Sequence, residues 1–392
     1  MQTAALYLPG FHSCKTNSNW WGEGFTEWDL VRSATSLAID HQQPRIPSWG
    51  YYDLSQPEAI ARQAELATEF GIDGFCIYHY WSKGQTPLRK PLEVILNRPE
   101  LDIQFSLCWA NHPWFSVWQC NEGKPSKLMT QSYEKDRLQR QHHIDFLLRA
   151  LSDKRAMRIN DRPVLSIYDP RPRSELANFI DHLRSDALKR YGLDLFLSAW
   201  DHTNNSVHHD ELVGVFDSSI LSGTAAKSKQ QHKATKHFLG KLTSPNLLTK
   251  LCPETLKTDD LRLLFYRLQA KLAQYSEAKA LNYDYYWQDY IIAYREQASL
   301  KSHNVHALAL VDWDNTPRMG KLGSYFDNFD IDKLGQYIHE LASTVIELEP
   351  DSILYINAWN EWGEGAYLEP DTQWGTARLR QVSQAVKTAK QR

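Results

Sequence analysis

Residues 74–81 read GFCIYHYW, a run in which apolar and aromatic side chains occupy nearly every position. A strand exposed on one face would alternate apolar and polar residues, so this run predicts a strand that is buried on both faces. Similar runs recur along the chain, separated by segments of helix length. We predict eight strands, at residues 3–11, 74–81, 104–111, 162–169, 193–200, 212–220, 306–313 and 352–359.

Strands that follow one another through helix-length connections pair in parallel, with right-handed crossovers. Eight such units close most naturally as a barrel, so we predict an α/β fold, a (β/α)8 TIM barrel forming a single domain over residues 1–392. A long insertion after the sixth strand, at about residues 221–275, is the main irregularity. The competing layout, an open doubly wound sheet, should carry a glycine-rich phosphate-binding turn. The sequence contains neither GxGxxG nor GxxxxGK[ST], which favours the barrel.

Charge and hydropathy exclude several classes of protein. The 392 residues include 44 Lys+Arg and 47 Asp+Glu, a net charge of −3, which argues against nucleic acid as the main partner. No stretch approaches the ~18 consecutive apolar residues of a membrane span. The N-terminus shows no signal peptide, so we expect a cytoplasmic protein. The sequence does not determine the oligomeric state.

Cysteine and aromatic usage add two expectations. The five cysteines form no CxxC pair, and Cys76 and Cys108 lie inside apolar runs, so we expect buried thiols rather than disulfides or a zinc site. The chain has 14 Trp, 19 Tyr and 14 Phe. Such side chains stack on the C–H faces of sugar rings, although a large aromatic core would use them equally.

Polar and aromatic side chains collect at the predicted strand ends, where TIM barrels place their reactive residues. For Glu23, Glu27 and His79, a structural role is the open alternative to substrate binding, and for Asp314 a tie between loops is favoured. We predict a substrate-binding rim made of Tyr7, His12, Glu23, Glu27, Trp28, Tyr78, His79, Tyr80, Trp81, Trp109, Asn111, Trp114, Trp118, Trp200, Asp312, Trp313, Asn360 and Trp362.

The last strand ends in NEWGEG, which places Glu361 and Glu364 three residues apart. Gly363 and Gly365 free the backbone to turn both side chains toward one pocket. Cleavage of a glycosidic bond needs a proton donor for the leaving oxygen and a second carboxylate that assists at the sugar. Repulsion between the two carboxylates would raise one pKa and keep that group protonated near neutrality. We predict this pair to be catalytic, against the alternative of a solvated loop.

The motifs YLPGFH, NWWGEGFTEW, QPRIP, GYYDL, GFCIYHYW, LCWAN, DWDNTPR and NEWGEGAYLEPD occur in this order. In them, over about residues 5–371, the chain resembles the WbsX-type proteins of bacterial polysaccharide and lipopolysaccharide O-antigen gene clusters. That family is related to glycoside hydrolase family 99, retaining enzymes that act on α-mannosides. The resemblance implies a (β/α)8 barrel.

The resemblance also implies residue roles. Glu364 would be the general acid/base, and Glu361 would deprotonate the 2-hydroxyl, whose oxygen attacks the anomeric carbon to give a 1,2-anhydro sugar. Two positions depart from the pattern and change the contacts to the substrate. Family 99 usually has histidine in the middle of EWxEG, where this chain has Gly363. WbsX-type proteins often read CWANE, where His112 follows Asn111 here.

Three functional hypotheses follow. The first is a retaining glycoside hydrolase or transglycosylase acting on α-linked mannose- or rhamnose-like units of a bacterial polysaccharide, which requires no metal or organic cofactor. The second is a WbsX-type glycosyltransferase of O-antigen or capsule biosynthesis, in which the lysine-rich, acid-free segment 218–253 would cover a nucleotide sugar. A solvated loop is the favoured alternative for that segment. No DxD-type metal motif is evident in a nucleotide-binding domain, which counts against this hypothesis. The third is a non-catalytic carbohydrate-binding barrel.

Overall fold

The computed structural model describes residues 1–118, 125–131, 133, 136–171, 174–202, 215–222, 262–264, 266–268, 276–300 and 304–391. The insertion expected at about 221–275 therefore lies mostly outside the described residues, as does most of the lysine-rich segment 218–253. Within the insertion, residues 262–264 and 266–268 are helical.

Eight parallel strands form a closed ring at the centre of the molecule. Each strand pairs with its neighbours along the chain, and the pairing of the last strand with the first closes the barrel. The predicted (β/α)8 barrel is thus confirmed. The strands are β1 (Gln2–Tyr7), β2 (Gly74–His79), β3 (Gln104–Trp109), β4 (Arg162–Ile167), β5 (Phe196–Asp201), β6 (Ser218–Leu221), β7 (Asn304–Leu310) and β8 (Ile353–Asn357).

Helices surround the barrel, and several begin at side chains that accept hydrogen bonds from the first turn. Asp136 accepts from the N–H of Leu138, and Asp330 accepts from the N–H groups of Asp332 and Lys333. In the described part of the chain, every helix is too short or too polar for a membrane-spanning segment. The helices are α1 (Lys15–Trp21), α2 (Trp28–Ser33), α3 (Pro57–Glu69), α4 (Lys90–Asn97), α5 (Arg137–Leu151), α6 (Ser174–Tyr191), α7 (Tyr283–Ser299), α8 (Thr316–Met319), α9 (Ile331–Leu348) and α10 (Ala377–Lys390).

Alternate residues of each strand face the two sides of the barrel wall. In β1, Leu6 belongs to the cluster that fills the barrel interior, whereas Tyr7 belongs to the layer between barrel and helices. In β2, Cys76 faces inward and Ile77 outward. Both sides are buried, which explains why the strands are apolar throughout. The expected burial of Cys76 and Cys108 is confirmed.

Short strand pairs decorate the carboxyl end of the barrel. Residues Trp114–Phe115 pair antiparallel with Lys127–Met129, and Lys279–Leu281 pair in parallel with Ser324–Phe326. A third pair, Asn360–Glu361 with Ala366–Tyr367, follows β8 directly. At the other end, Arg158–Ile159 extends the sheet antiparallel to β4. The three pairs at the carboxyl end stiffen the loops that build the mouth of the barrel.

Candidate active site

The chain turns back on itself immediately after β8 and presents two carboxylates at the barrel mouth. The turn between the strands Asn360–Glu361 and Ala366–Tyr367 is a single 3-10 turn, Trp362–Glu364, followed by Gly365 at φ +65°. A Cβ at Gly365 would approach backbone and side-chain atoms of Asp314 to 2.9 Å, so only glycine fits this left-handed position. Asn360 fixes the turn by accepting from the Leu8 N–H and donating to its carbonyl.

A single arginine joins the carboxylates of this turn. The guanidinium of Arg318, in α8, lies 2.8 Å from Glu361 through Nη2 and 2.9 Å from Glu364 through Nη1. Its Nη2 and Nε also bind Glu27, the Nε contact being 3.1 Å. The three carboxylates come from the loop after β1 and the turn after β8, and all three meet at this one side chain.

The electrostatics of the cluster favour retention of a proton. Burial raises the pKa of Glu361 well above its usual range; the charge of Arg318 opposes this shift, and the charges of Glu364 and Glu27 reinforce it. Burial also raises the pKa of Glu364, again opposed by Arg318 and reinforced by Glu27. Because one cation faces three acidic groups, the cluster favours the protonated forms of Glu361 and Glu364 more than a solvated pair would.

The carboxylates face a cavity of about 300 Å³ at the carboxyl end of the barrel. Trp21 and Trp118 stack in its wall with ring centroids 4.9 Å apart, and Tyr80 meets Trp114 edge to face at 4.7 Å. The wall is predominantly aromatic and apolar, with a few polar groups. Its residues are Leu8, Asn17, Trp21, Glu27, Tyr78, Tyr80, Leu88, Ala110, His112, Pro113, Trp114, Phe115, Val117, Trp118, Leu128, Tyr168, Tyr266, Arg318, Glu361 and Glu364.

Two glycines, Gly10 and Gly363, leave room for the ion pair between Glu27 and Arg318. A Cβ at Gly363 would lie 2.8 Å from Arg318 Nε and 3.1 Å from Glu27 Oε2. A Cβ at Gly10 would lie 2.7 Å from Glu27 Oε1. Any side chain at position 363 would therefore require this ion pair to shift. Glycine at position 363 therefore fits the close packing of Arg318 and Glu27 against this turn.

A second charged network supports the turn from behind. The N–H of Asp314 donates to the Glu364 carbonyl at 2.6 Å, and its carboxylate accepts from His41, Gln43 and Thr316. Burial raises the pKa of Asp314, but these hydrogen bonds and the Arg45 charge outweigh it and leave the pKa lowered. The loop-tying role expected of Asp314 agrees with these contacts.

The structure brings some of the predicted rim residues to the cavity and places others away from it. The predicted residues that line the cavity are Glu27, Tyr78, Tyr80, Trp114, Trp118, Glu361 and Glu364. The predicted residues that the cavity wall does not include are Tyr7, His12, Glu23, Trp28, His79, Trp81, Trp109, Asn111, Trp200, Asp312, Trp313, Asn360 and Trp362.

Strand alternation explains several of the residues that lie elsewhere. Tyr7 points outward and donates to Gln63 of α3 at 2.6 Å. His79 also points outward, and its Nε2 lies 2.9 Å from Nε2 of His143 in α5. Burial lowers the pKa of His79 to about 3. Trp109 is fully buried, in the same outer layer.

The remaining residues make contacts within the protein. Trp28 donates to the Tyr52 carbonyl, Asn111 donates to the Asp169 carbonyl, and Trp362 donates to Glu369. Asp312 accepts from Arg45 and Arg378, and Trp313 donates to Ser324. His12 is buried, Trp81 stacks on His143, and Trp200 packs on Tyr168. Glu23 is exposed.

Sequence reasoning missed Arg318, His112 and Tyr168 as cavity residues. Arg318 is the last residue of the motif DWDNTPR, one of the motifs that carry the family resemblance. A basic residue that follows an acidic strand end was the feature of the sequence that could have indicated its place in the cavity. The Nδ1 of His112 is buried and has no hydrogen-bond partner among the residues that the structure describes. Burial lowers the pKa of His112 to about 4, so the imidazole is neutral at physiological pH.

The acidic cluster is not arranged as a metal centre. Its carboxylates are bound to a guanidinium, which takes the position that a cation would need. Across the described residues, no group of three or more His, Cys, Asp or Glu side chains has the geometry to hold a metal ion.

Comparisons with solved structures agree with this fold. The chain is similar to the GH99 endo-alpha-mannosidase from Bacteroides thetaiotaomicron, with 12% sequence identity and a TM-score of 0.55, over 100% of this chain and 98% of that one. It is also similar to a protein described as glycoside hydrolase-like, with 11% identity and a TM-score of 0.59, over 98% and 93% of the two chains. At these identities the likeness shows a shared barrel fold.

Sequence comparison gives a longer relative and a family. The chain is 27% identical over 396 aligned residues to the uncharacterized protein WxcX of Xanthomonas campestris pv. campestris (strain B100), covering 98% of this chain and 49% of WxcX. It spans about half the length of the curated relatives that it matches. The family model described as glycosyltransferase WbsX matches residues 3–382. The chain therefore belongs to the WbsX glycosyltransferase family.

Proposed function

We propose that this barrel is a retaining glycoside hydrolase or transglycosylase that acts on α-linked mannose- or rhamnose-like units of a bacterial polysaccharide. One observation carries the proposal: Glu361 and Glu364 contact the same guanidinium and face the same aromatic-walled cavity. Two carboxylates beside one sugar-sized cavity are what glycoside cleavage requires. The abundance of Trp and Tyr in the wall suits the C–H faces of a sugar ring.

The proposed reaction has two halves. In the first, Glu361 accepts the proton of the sugar 2-hydroxyl while that oxygen attacks the anomeric carbon. The bond to the leaving oxygen breaks, and Glu364 donates its proton to that oxygen. In the second half, Glu364 accepts a proton from water or from an acceptor hydroxyl, whose oxygen opens the 1,2-anhydro ring at the anomeric carbon. Glu361 then returns its proton to the 2-oxygen.

The difference in exposure supports this division of roles. The side chain of Glu364 is 28% exposed, whereas that of Glu361 is 8% exposed. The leaving part of a polysaccharide departs toward solvent, so the more exposed carboxyl is the better placed proton donor. Burial raises the pKa of Glu364, which favours the protonated form that a general acid needs, but it raises the pKa of Glu361 as well, so the division of roles rests on the difference in exposure.

The test is the release of reducing sugar from a panel of α-mannans and O-antigen polysaccharides. We expect Glu361→Gln and Glu364→Gln each to lower kcat/KM by at least ~100-fold, the usual scale of general acid–base catalysis. Glu65→Gln, on the exposed face of α3, is the matched control and should leave activity unchanged. A 2,4-dinitrophenyl glycoside needs no proton at its leaving oxygen, so it should restore the Glu364 variant more than the Glu361 variant. Full activity in both variants would refute the proposal.

Glycosyl transfer from a nucleotide sugar is the second candidate, and the family description favours it. It predicts micromolar binding of nucleotide sugars in calorimetry and transfer of their sugar to an acceptor. Hydrolysis or transglycosylation predicts no such binding. Glycan binding that is unchanged by both glutamine variants, with no turnover, would instead indicate a binding-only barrel.

A further inference from the structure

Leu88 has an unusual backbone conformation for a leucine. Its φ is +57°, in the left-handed region that residues other than glycine and asparagine rarely adopt. The residue precedes α4, where glycine or asparagine would form the turn without strain. Its side chain is 6% exposed and forms part of the cavity wall. A strained position at a ligand cavity indicates that the side chain itself is used.

Leu88 belongs to a small apolar cluster that is separate from the two cores of the barrel. The cluster consists of Leu88, Tyr80 and Ala110, and Tyr78 and Trp114 pack against it. All five residues also line the cavity. We call these five residues the apolar wall. Leu88 and Ala110 are wholly apolar, and the three aromatic side chains carry one polar atom each, so most of this part of the cavity wall is nonpolar.

The apolar wall adjoins the acidic cluster. Burial, together with the charges of Glu27 and Glu361, raises the pKa of the Tyr80 hydroxyl well above its usual value. Elsewhere in the cavity wall, His112 and Tyr168 supply polar groups, and their ring centroids lie 4.9 Å apart. A sugar in this cavity therefore meets a nonpolar surface and a hydrogen-bonding surface, both beside the carboxylates.

We propose that the apolar wall binds the C6 methyl group of a 6-deoxyhexopyranoside with the manno configuration, so that the protein prefers rhamnose-type units to mannose-type units. The manno configuration rests on the proposed function, since attack by the 2-oxygen requires a 2-hydroxyl trans to the leaving group. The preference for a C6 methyl group over a 6-hydroxyl rests on the apolar wall. A 6-hydroxyl pressed against Leu88 and Ala110 would lose its hydrogen bonds to water, and neither side chain offers a replacement.

The test compares sugars that differ only in the 6-hydroxyl. Methyl 6-deoxy-α-mannopyranoside and methyl α-mannopyranoside, each in the D and the L series, are titrated into the full chain by calorimetry. In one of the two series we expect the 6-deoxy sugar to bind ~10-fold tighter, the scale of one buried unpaired hydroxyl. Because binding is measured, the result does not depend on turnover by Glu361 and Glu364.

Leu88→Asn is the decisive variant, because asparagine tolerates the left-handed conformation and offers polar atoms to a 6-hydroxyl. We expect it to reduce the preference ~10-fold without lowering Tm. Lys83→Asn is the matched control: it relieves another positive φ, +49°, at an exposed residue outside the cavity wall. It should leave the preference intact. Equal affinity for the two sugars in both series, a preference for mannose, no binding at ~10 mM, or an unchanged preference in Leu88→Asn would overturn the inference. If only the proposed function is wrong, the protein should still bind the 6-deoxy sugar more tightly but should not cleave any glycoside of the panel.

Discussion

Arg318 carries the charge balance of the candidate active site. Burial disfavours its charge, but the charges of Glu27, Glu361 and Glu364 outweigh that effect and hold the pKa of the guanidinium above its usual value. The guanidinium of Arg318 also lies over the ring of Trp118, with Cζ 5.4 Å from the ring centroid. One residue thus fixes the positions of both proposed catalytic groups and moderates their pKa values.

We expect Arg318→Met to move the acid limb of the activity profile to higher pH. Without the guanidinium no opposite charge counters the effect of burial, so the pKa values of Glu361 and Glu364 rise further. The ionised base that the reaction needs then appears only at higher pH. The pH dependence of kcat/KM measures the shift, and Arg318→Lys, which keeps a cation, should show a smaller one.

The same variant has an effect on stability that requires no substrate. Removing the cation from a buried cluster of carboxylates costs ~3–5 kcal/mol while the carboxylates stay ionised. Protonation relieves that cost, so urea unfolding should show a larger destabilisation at pH 8 than at pH 5. Equal losses at both pH values would contradict the assigned charge balance.

At the residue level, the sequence predicts which strand ends form the mouth better than it predicts which side chains face inward. The pair Tyr78 and His79 illustrates this: Tyr78 lines the cavity, whereas His79 pairs with His143 of α5. Because both faces of the strand are buried, the apolar pattern contains no signal that distinguishes inside from outside. Arg318 was missed for a different reason: its partners are distant in sequence, and only the closed barrel brings them together.

At the level of elements, Glu369 holds the turn after β8 in place. Its carboxylate accepts from Tyr52 and Gln63, each at 2.6 Å, and from the indole N–H of Trp362 at 2.7 Å. Trp362 directly follows Glu361 in the turn. Burial raises the pKa of Glu369 to about 7, and the hydrogen bonds only partly oppose this shift.

This shift predicts that the fold loses stability as the pH rises. A carboxyl whose pKa is higher in the folded state than in the unfolded state binds more protons when folded, so its stabilising contribution is complete below about pH 4.5. That contribution is lost by about pH 7 and amounts to ~3 kcal/mol. Glu369→Gln removes this titration. Urea unfolding of both proteins at pH 4.5 and 7.5 should show a smaller pH dependence in the variant, and identical dependence would refute the assignment.

The element boundaries show where sequence patterns fail. The apolar pattern predicts a first strand over residues 3–11, but β1 ends at Tyr7. The apolar pattern continues because the loop after β1 is itself buried: Phe11 packs on Trp28 at a centroid distance of 4.2 Å. The sixth strand was expected over 212–220 and is Ser218–Leu221, with residues 203–214 outside the described part of the chain. Burial alone does not separate a strand from a buried loop.

At the level of the whole molecule, the order of strands and helices was sufficient to predict the closed barrel. Parallel pairing and the right-handed crossover leave few ways to arrange eight such units. The cavity was harder to predict, because its wall combines α1, the Trp114–Phe115 strand and Arg318 of α8 with the ends of several barrel strands. No local pattern records such a combination.

The interior of the barrel should unfold as one unit, and two cysteines can report it. Cys76 and Cys108 lie on the paired strands β2 and β3, and both are fully buried in the interior cluster. Burial raises the pKa of the Cys76 thiol to about 12, so almost no thiolate is available to react at pH 8. We expect iodoacetamide to leave both unmodified in the native protein, while the partly exposed Cys14 reacts.

With increasing urea, Cys76 and Cys108 should become reactive together, at the midpoint recorded by tryptophan fluorescence. The reason is that neither strand can leave a closed ring without breaking the pairing of both neighbours. Peptide mapping by mass spectrometry separates the two sites from the other cysteines, and Cys14→Ser removes the fast reaction while leaving an N-cap oxygen for α1. Labelling of Cys76 at a lower urea concentration than Cys108 would show that the barrel opens at β2 before it unfolds.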